Sequence, residues 1–306
     1  MKIIICALTC KRPDGLTRLL EGLNALTFRD PPPQVGLVIV DNDPQASARG
    51  ACERLGRKSR WPLNYVVEPH RGIAPARNAA LDNVGDADWI GFIDDDEVPD
   101  PAWLDELIHV QREYDADVVT GPVVPHFPEP VPDWILKGRF FERRRYPTGR
   151  RLPHAFTNNV LFRRRILDEL NMRFDTRWAL TGGEDRHFFQ QIGMRGYRIV
   201  WADEATVTEW IPSSRATAEW LVRRHYRVGS STSLVERDLR PAWKILPLLA
   251  GKSLAWLAIG VGLLASGPFR GRHVGVHGQR ACAYGVGLLA GLLGISFEEY
   301  RQTHRV

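Results

Sequence analysis

The chain has 306 residues, 44% hydrophobic and 25% charged, with a formal net charge of +5 at pH 7. That composition excludes a disordered or collagenous protein and leaves room for one large α/β domain or two smaller ones. Its four cysteines, Cys6, Cys10, Cys52 and Cys282, show no CxxC spacing, which argues against a disulfide framework or a structural zinc and fits a reducing cytosol.

Residues 2–8 read as a buried first strand, too short an apolar run for a signal peptide. An amphipathic helix over 14–26 follows, then a strand over 35–40, a helical stretch from Gln45, a strand over 64–67, a helix over 74–81 and a strand over 89–93. Repeated β then α predicts a parallel sheet, whose ligand crevice lies beyond the carboxyl ends of the strands. The residues there are 9–12, 41–43 and 94–96, all polar sets. No GxGxxG or GxxxxGK[ST] loop follows any strand, so a dinucleotide-binding or P-loop protein is disfavoured.

Asp94, Asp95 and Asp96 stand directly after the apolar run 89–93. Three adjacent carboxylates repel one another at a buried strand end and call for a cation. Mg²⁺ or Mn²⁺ fits, because these ions take oxygen ligands and are commonly held by one or two carboxylates plus substrate phosphates. The plainer alternative is that Asp100 and Pro101 start a helix over 102–110 and the acidic run only favours that helix N-terminus.

The basic stretch 140–151 reads either as a phosphate-meeting loop or as a solvated one. A strand over 157–162 follows, and Thr181-Gly182-Gly183-Glu184-Asp185 opens a helix over 186–195. Glycines before an acidic pair let the chain turn sharply and aim the carboxylates into a cleft, where one could act as a general base. An ordinary helix N-terminus with acids favouring the dipole accounts for the same pattern. Glu209, in a strand pattern, reads as a half-exposed strand residue, and His154, His187 and His225 lack metal-ligand spacing.

Residues 212–306 hold 13 Lys and Arg against 5 Asp and Glu, so the rest of the chain is net negative. Arginines interleaved with apolar runs suit a membrane surface better than nucleic acid. The run 245–265 is interrupted by Lys252, and 281–295 is too short to span a bilayer. A linker carrying Arg270, Arg272 and Arg280 would have to cross the membrane if both runs spanned it. Helices lying in the cytoplasmic leaflet are therefore favoured. A helical subdomain packed on the core, or a contact between copies, is the alternative.

Six segments occur in a recognisable order: Thr9-Cys10-Lys11-Arg12-Pro13, Val40-Asp41-Asn42, Gly72-Ile73-Ala74-Pro75-Ala76-Arg77-Asn78, Ile93-Asp94-Asp95-Asp96, Asn158-Asn159-Val160 and Gly182-Gly183-Glu184-Asp185. Over residues 1–230 the chain resembles the inverting family 2 glycosyltransferases. With Gly121-Pro122-Val123-Val124-Pro125 and Gly149-Arg150 it is most similar to their bacterial exopolysaccharide group, which includes a succinoglycan glucosyltransferase.

The resemblance implies a GT-A α/β fold with a mostly parallel mixed sheet over 1–230, and leaves 231–306 as an amphipathic helical, membrane-associating tail. Thr9, Arg12 and Asp41 would bind the nucleotide base, uracil by the match of a carboxylate to its imide N–H, with Arg12 stacking on the flat base. Arg77 would approach ribose or diphosphate. Asp94 would face the nucleotide ribose or sugar and share the metal with Asp96, with Asp95 beside them in a donor role. Asp185 matches the catalytic base and Glu184 a residue supporting a bound sugar, the two carboxylates titrating jointly.

The implied reaction moves a single sugar from a UDP-sugar, UDP-glucose first, to a polyprenyl-diphosphate-linked saccharide at the inner face of the cell membrane, with Mg²⁺ or Mn²⁺. The QxxRW element of processive relatives is missing. Competing readings are a non-catalytic nucleotide-binding scaffold of polysaccharide assembly and a sugar nucleotidyltransferase, whose early glycine-rich loop is absent.

Overall fold

The structure, a computed structural model, describes residues 1–295. Its amino-terminal half alternates as the apolar periodicity predicts: β1 (Lys2–Thr9), α1 (Pro13–Asn24), β2 (Gln34–Asp41), α2 (Arg49–Gly56), β3 (Leu63–Val67), α3 (Ile73–Asp82) and β4 (Trp89–Ile93). These four strands run parallel in the order β3-β2-β1-β4. Both faces of the sheet are covered. Ile3, Ile5 and Ala7 join one apolar core with Leu16, Leu19 and Leu104, while Ile4 and Cys6 join another with Ala76, Ala80 and Phe188. Burial on both sides is why these strands read as continuous apolar runs.

Register brings the functional ends level. Thr9 pairs with Asp41, and Cys6 pairs with Phe92, which puts the start of the acidic triplet beside the end of β1.

The second half adds β5 (Glu97–Pro99), α4 (Trp103–Tyr114), β6 (Val118–Thr120), β7 (Val123–His126), α5 (Asp133–Gly138), β8 (Asn159–Arg163), α6 (Arg165–Leu170), α7 (Glu184–Met194), β9 (Ile199–Trp201) and β10 (Val207–Trp210). The seven-stranded sheet has the order β3-β2-β1-β4-β8-β6-β9, with β8 antiparallel to both neighbours, so the sheet is mixed and mostly parallel as expected. A small sheet, β5-β10-β7, stands beside it. Asn159 opens β8 opposite Ile93 and ties four segments together: its Oδ1 accepts from Trp103 Nε1 at 2.8 Å and its Nδ2 donates to the carbonyls of Pro122 and Ala205 at 3.0 and 2.7 Å.

Two boundaries differ from the sequence reading. The stretch from Gln45 begins as a turn, with helix only from Arg49, because Asp41 and Asp43 take the backbone N–H groups of Asp43, Ala48 and Gln45. The acidic triplet does not serve the following helix, since β5 intervenes and α4 starts at Trp103.

Three helices complete the described chain: α8 (Ala218–Leu239), α9 (Ala242–Arg270) and α10 (Arg272–Leu292). Helix α10 lies between the other two. Small residues allow close approach: a Cβ at Gly287 would stand 2.1 Å from the Tyr226 carbonyl oxygen of α8, and one at Gly260 would stand 2.4 Å from Cys282 Sγ of α10. Ser233 and Ser253 hydroxyls donate to the Leu288 and Gly285 carbonyls at 2.8 and 2.7 Å. Small residues with interhelical hydroxyl bonds are the packing style of helices in apolar surroundings.

Lys252 does not break the helix. Its ammonium lies 5.7 Å from the Tyr284 ring centre, and α9 continues unbroken for 29 residues. By length and composition α9 is apolar enough to cross a membrane. The expected linker shrinks to Gly271, whose φ of 102° suits glycine, and Arg272 and Arg280 fall inside α10.

Candidate active site

The carboxyl ends of β1, β2 and β4 and the start of α7 converge on one charged crevice. Thr9 is buried at the end of β1, next to Asp95. Asp41 is fully buried, and its oxygens are engaged by protein donors: Oδ1 accepts from Asp43 N at 3.1 Å, and Oδ2 accepts from Ala48 N at 2.7 Å and the Tyr65 hydroxyl at 2.8 Å. Asn42 braces the next loop, donating to the Glu68 and His70 carbonyls and accepting from Gly72 N at 2.9 Å. Gly72, at φ 133°, lies against Ala179, where a Cβ would come within 2.8 Å of the alanine Cβ. That contact seats the start of α3 on the segment leading into α7.

The acidic triplet is compensated unevenly. Arg12 Nη1 reaches Asp95 Oδ1 at 3.1 Å and Asp96 Oδ2 at 3.3 Å, and Arg215 Nη1 reaches Asp96 Oδ2 at 3.0 Å. Asp94 has no such ion pair among the described residues; it donates its N–H to Glu97 Oε2 at 3.1 Å. Burial, then the charge of Asp96, pushes the Asp94 carboxyl up to about 7, with Arg77 opposing. Burial pushes Asp95 to about 6 against the pull of Arg12, and Glu97, buried below the triplet, is raised well above the usual range by burial and by Asp94.

The acidic pair at the start of α7 divides. Gly182 and Gly183, at φ 72° and 99°, turn the chain so that Glu184 and Asp185 fall in the first helical turn. Glu184 points inward to a buried ion pair with Arg77, whose guanidinium also lies 5.5 Å from the Phe174 ring centre. Asp185 is partly exposed, accepts from Arg186 N at 2.6 Å, and has no cationic partner among the described residues. It lies close enough to Asp94 to hold that carboxyl up. The pair is thus divided, one carboxylate locked by arginine and the other left open.

Three further residues complete the crevice: Glu97 and Arg215, which sequence reasoning gave no role, and Glu209, which it read as a half-exposed strand residue. Glu97 and Glu209 face one another across β5 and β10. Arg215 follows β10 and links Glu209 Oε1, at 3.6 Å, to Asp96. Glu209 is buried, not half-exposed, and Arg143 of the basic stretch reaches its Oε2 at 2.9 Å. An arginine after a short strand carries no sequence signal that marks it.

Among the described residues no three His, Cys, Asp or Glu side chains form a complete metal site. The oxygen donors of Asp94 and Asp96, with the unbalanced charge at Asp94, nevertheless fit Mg²⁺ or Mn²⁺ completing its shell with substrate phosphates and water.

A family model described as Glycosyl transferase family 2 matches residues 3–170, and one described as Glycosyl transferase family group 2 matches residues 89–295. The succinoglycan biosynthesis protein ExoM of Rhizobium meliloti is 33% identical over 98% of this chain and 96% of its own length. The mannosyltransferase PcManGT from Pyrobaculum calidifontis, solved with GDP-Man and Mn²⁺, superposes with a TM-score of 0.63 at 18% identity, covering 94% of this chain and 86% of that one. S. aureus TarS in complex with UDP superposes with a TM-score of 0.53 at 15% identity, covering 96% and 92%. These two structural likenesses bear on the GT-A fold alone.

Proposed function

The chain belongs to glycosyl transferase family 2 and is a glycosyltransferase; within that family, we propose, it moves one sugar from a UDP-sugar to a hydroxyl of a lipid-linked saccharide, inverting the anomeric carbon. The observation that carries this reading is the division at the start of α7. Glu184 is neutralised by Arg77, while Asp185, with no cation on it among the described residues, is left facing the acidic triplet. A carboxylate so placed takes the proton from an acceptor hydroxyl. The freed oxygen attacks the anomeric carbon opposite the diphosphate, and the bond to UDP breaks as the new one forms.

Around that step the other residues hold the donor. Asp41 is closed over in this structure and meets the imide N–H of uracil on Oδ1 only once the chain that buries it opens, while its bonds to Ala48 and Tyr65 shape the base pocket. Thr9 closes the pocket floor. Arg12 is engaged by Asp95 and Asp96, and stacking on the base requires those pairs to open. Arg77 positions Glu184 under the sugar. When bound, Mg²⁺ or Mn²⁺ on Asp94 and Asp96 would offset charge developing on the leaving diphosphate. The exopolysaccharide relative makes a growing saccharide the acceptor of choice and UDP-glucose the first donor to try.

Residues 1–230 form the catalytic part in this reading and 231–306 the attachment part, with α8 shared between them. The helices rest on the cytoplasmic leaflet. Spanning by α9 would take α10 with it, and α8 packs along α10 while carrying Arg223, Arg224, Arg227, Glu236 and Asp238, which belong in water or on the catalytic part. The outward face of α9 is apolar, with Trp243 73% and Phe269 90% exposed.

The test is UDP release from a panel of UDP-sugars by the purified protein with Mn²⁺, with and without membrane lipid extract. Acceptor-dependent release lost in both Asp185→Asn and Asp96→Ala is expected. UDP binding without turnover of any donor would favour a binding-only protein, and pyrophosphate formation from UTP a nucleotidyltransferase.

A further inference from the structure

Between the acidic triplet and the helical layer the charge reverses. Arg143, Arg215 and Arg224 gather around the buried carboxylate of Glu209, with Arg227 near Arg224. Arg143 and Arg215 pair with it directly. Arg224 makes no ion pair among the described residues; its guanidinium lies 5.0 Å from the Trp220 ring centre, and that of Arg215 lies 5.9 Å from the same ring. Burial, with Arg143, Arg227 and Arg215 adding to it and Glu209 opposing, pushes Arg224 down to about 10. Arg143 is also within reach of Glu97 and Asp94, and Arg215 pairs with Asp96, so Arg224 is the member left without an ion pair among the described residues; guanidinium groups confined together at the expense of their own hydration make a seat for a multivalent anion.

The same seat has an apolar back. Trp220 stacks on Phe141 at 5.8 Å and belongs to the cluster that includes Ile135, Phe140, Leu221 and Val276, where α10 meets α5. Ala218 and Val276, both in that cluster, also line a cavity of about 450 Å³ that opens at the α9–α10 bend among Leu264, Gly267, Pro268 and Gly275. Phe269, beside the cavity lining, belongs to the exposed apolar face of α9. One end of this feature thus meets Asp96 through Arg215, and the other lies against the face assigned to the membrane.

We propose that Arg143, Arg215 and Arg224 bind the phosphate of an acceptor whose apolar chain runs into the cavity between α8 and the α9–α10 bend. The inference rests on the transferase reading above and adds where the carrier phosphate sits. The donor diphosphate has the same chemistry, so the test must separate the two sources. Arginine forks match phosphate oxygens two at a time, and an apolar chain entering the cavity would lie along Leu264, Pro268 and Val276, with Arg272 and Gln279 also in the lining.

The experiment uses the full chain and measures binding of three probes by calorimetry: farnesyl diphosphate, inorganic pyrophosphate and UDP with Mn²⁺. Arg143→Gln, on a partly exposed side chain, and Arg224→Gln should each weaken farnesyl diphosphate at least tenfold while leaving UDP within twofold. Gly275→Leu adds its side chain where a Cβ meets open space, and should weaken farnesyl diphosphate while sparing pyrophosphate. UDP weakened in place of farnesyl diphosphate would assign the arginines to the donor and overturn the proposal. Farnesyl diphosphate unaffected by all three variants would leave only a structural ion-pair network, overturning it too. Arginine-dependent farnesyl diphosphate binding in a protein that turns over no donor would sink the transferase reading and leave this site standing; sugar transfer with unaltered acceptor KM in both arginine variants would do the reverse.

Discussion

The crevice at the strand ends and the helical layer behind it solve opposite problems. In the crevice, carboxylates that water would solvate are packed together and held by arginines brought from far along the chain: Arg12 to Asp95, Arg77 to Glu184, Arg143 to Glu209 and Arg215 to Asp96. In the layer of α8, α9 and α10 many of the closest contacts are made at glycine and serine, Ile245, Leu249 and Leu288 form a small buried cluster, and Trp243, Leu248, Leu254, Val261 and Phe269 of α9 face outward. Charge in the first is costly unless paired. Apolar surface in the second is costly unless covered. On the proposed reading the first arrangement serves chemistry and the second attachment, so a change in one region should leave the other region's measurement untouched.

The largest separation is expected from Asp185→Asn. Turnover should fall about 10³-fold, the scale of a lost general base, while Tm and vesicle binding stay as in the parent. Next comes Glu184→Ala, which leaves Arg77 buried without its partner. Urea denaturation should register a loss of about 3–5 kcal/mol, in contrast to Asp185→Asn at the adjacent position. On the other side of the comparison, Trp243→Asp with Phe269→Asp should reduce co-sedimentation with anionic vesicles about tenfold or more, each side chain giving up apolar burial of about 2 kcal/mol, with UDP binding unchanged. If nucleotide affinity falls in that double variant, the two regions are not separable.

The smallest effect concerns pH. The Asp94 carboxyl lies at about 7 in the fold against an ordinary 3.8, so the native protein keeps a proton that the unfolded chain releases. Stability from this group is fully present below about 4 and is lost as pH rises through 7. A modest fall in Tm between pH 5 and pH 8, reversed by Mn²⁺ with UDP, is the expected result. A Tm rising over that range would contradict the burial assigned to Asp94.

Sequence patterning carried most of the amino-terminal sheet because each of its strands is buried on both faces and flanked by polar residues. Asp94, Asp95, Asp96, Glu184 and Asp185 were legible for the same reason: acids at the edge of an apolar run or a glycine turn stand out. What was not legible is set by distance in the chain. Strands β5, β6 and β9 have three residues each, too few to show a period. Partners such as Arg215 for Asp96 lie more than a hundred residues away. That α9 runs unbroken through Lys252 was not legible either, because the Tyr284 ring beside its ammonium comes from another helix.

Strand β8 has a consequence for how the molecule assembles. It lies between β4 and β6 in the sheet although β6 precedes it in the chain. On a ribosome, the four parallel strands can pair as soon as they emerge, but β6 has no edge to join until residues 159–163 have followed, and Asn159 cannot complete its bonds before Ala205 arrives. The side of the crevice built by β1, β2 and β4 is thus available to form early and locally, while the half that carries Asp185 waits on long-range closure. Slow substitutions around Asn159 should accumulate a partly folded species whose exposed edge is β4.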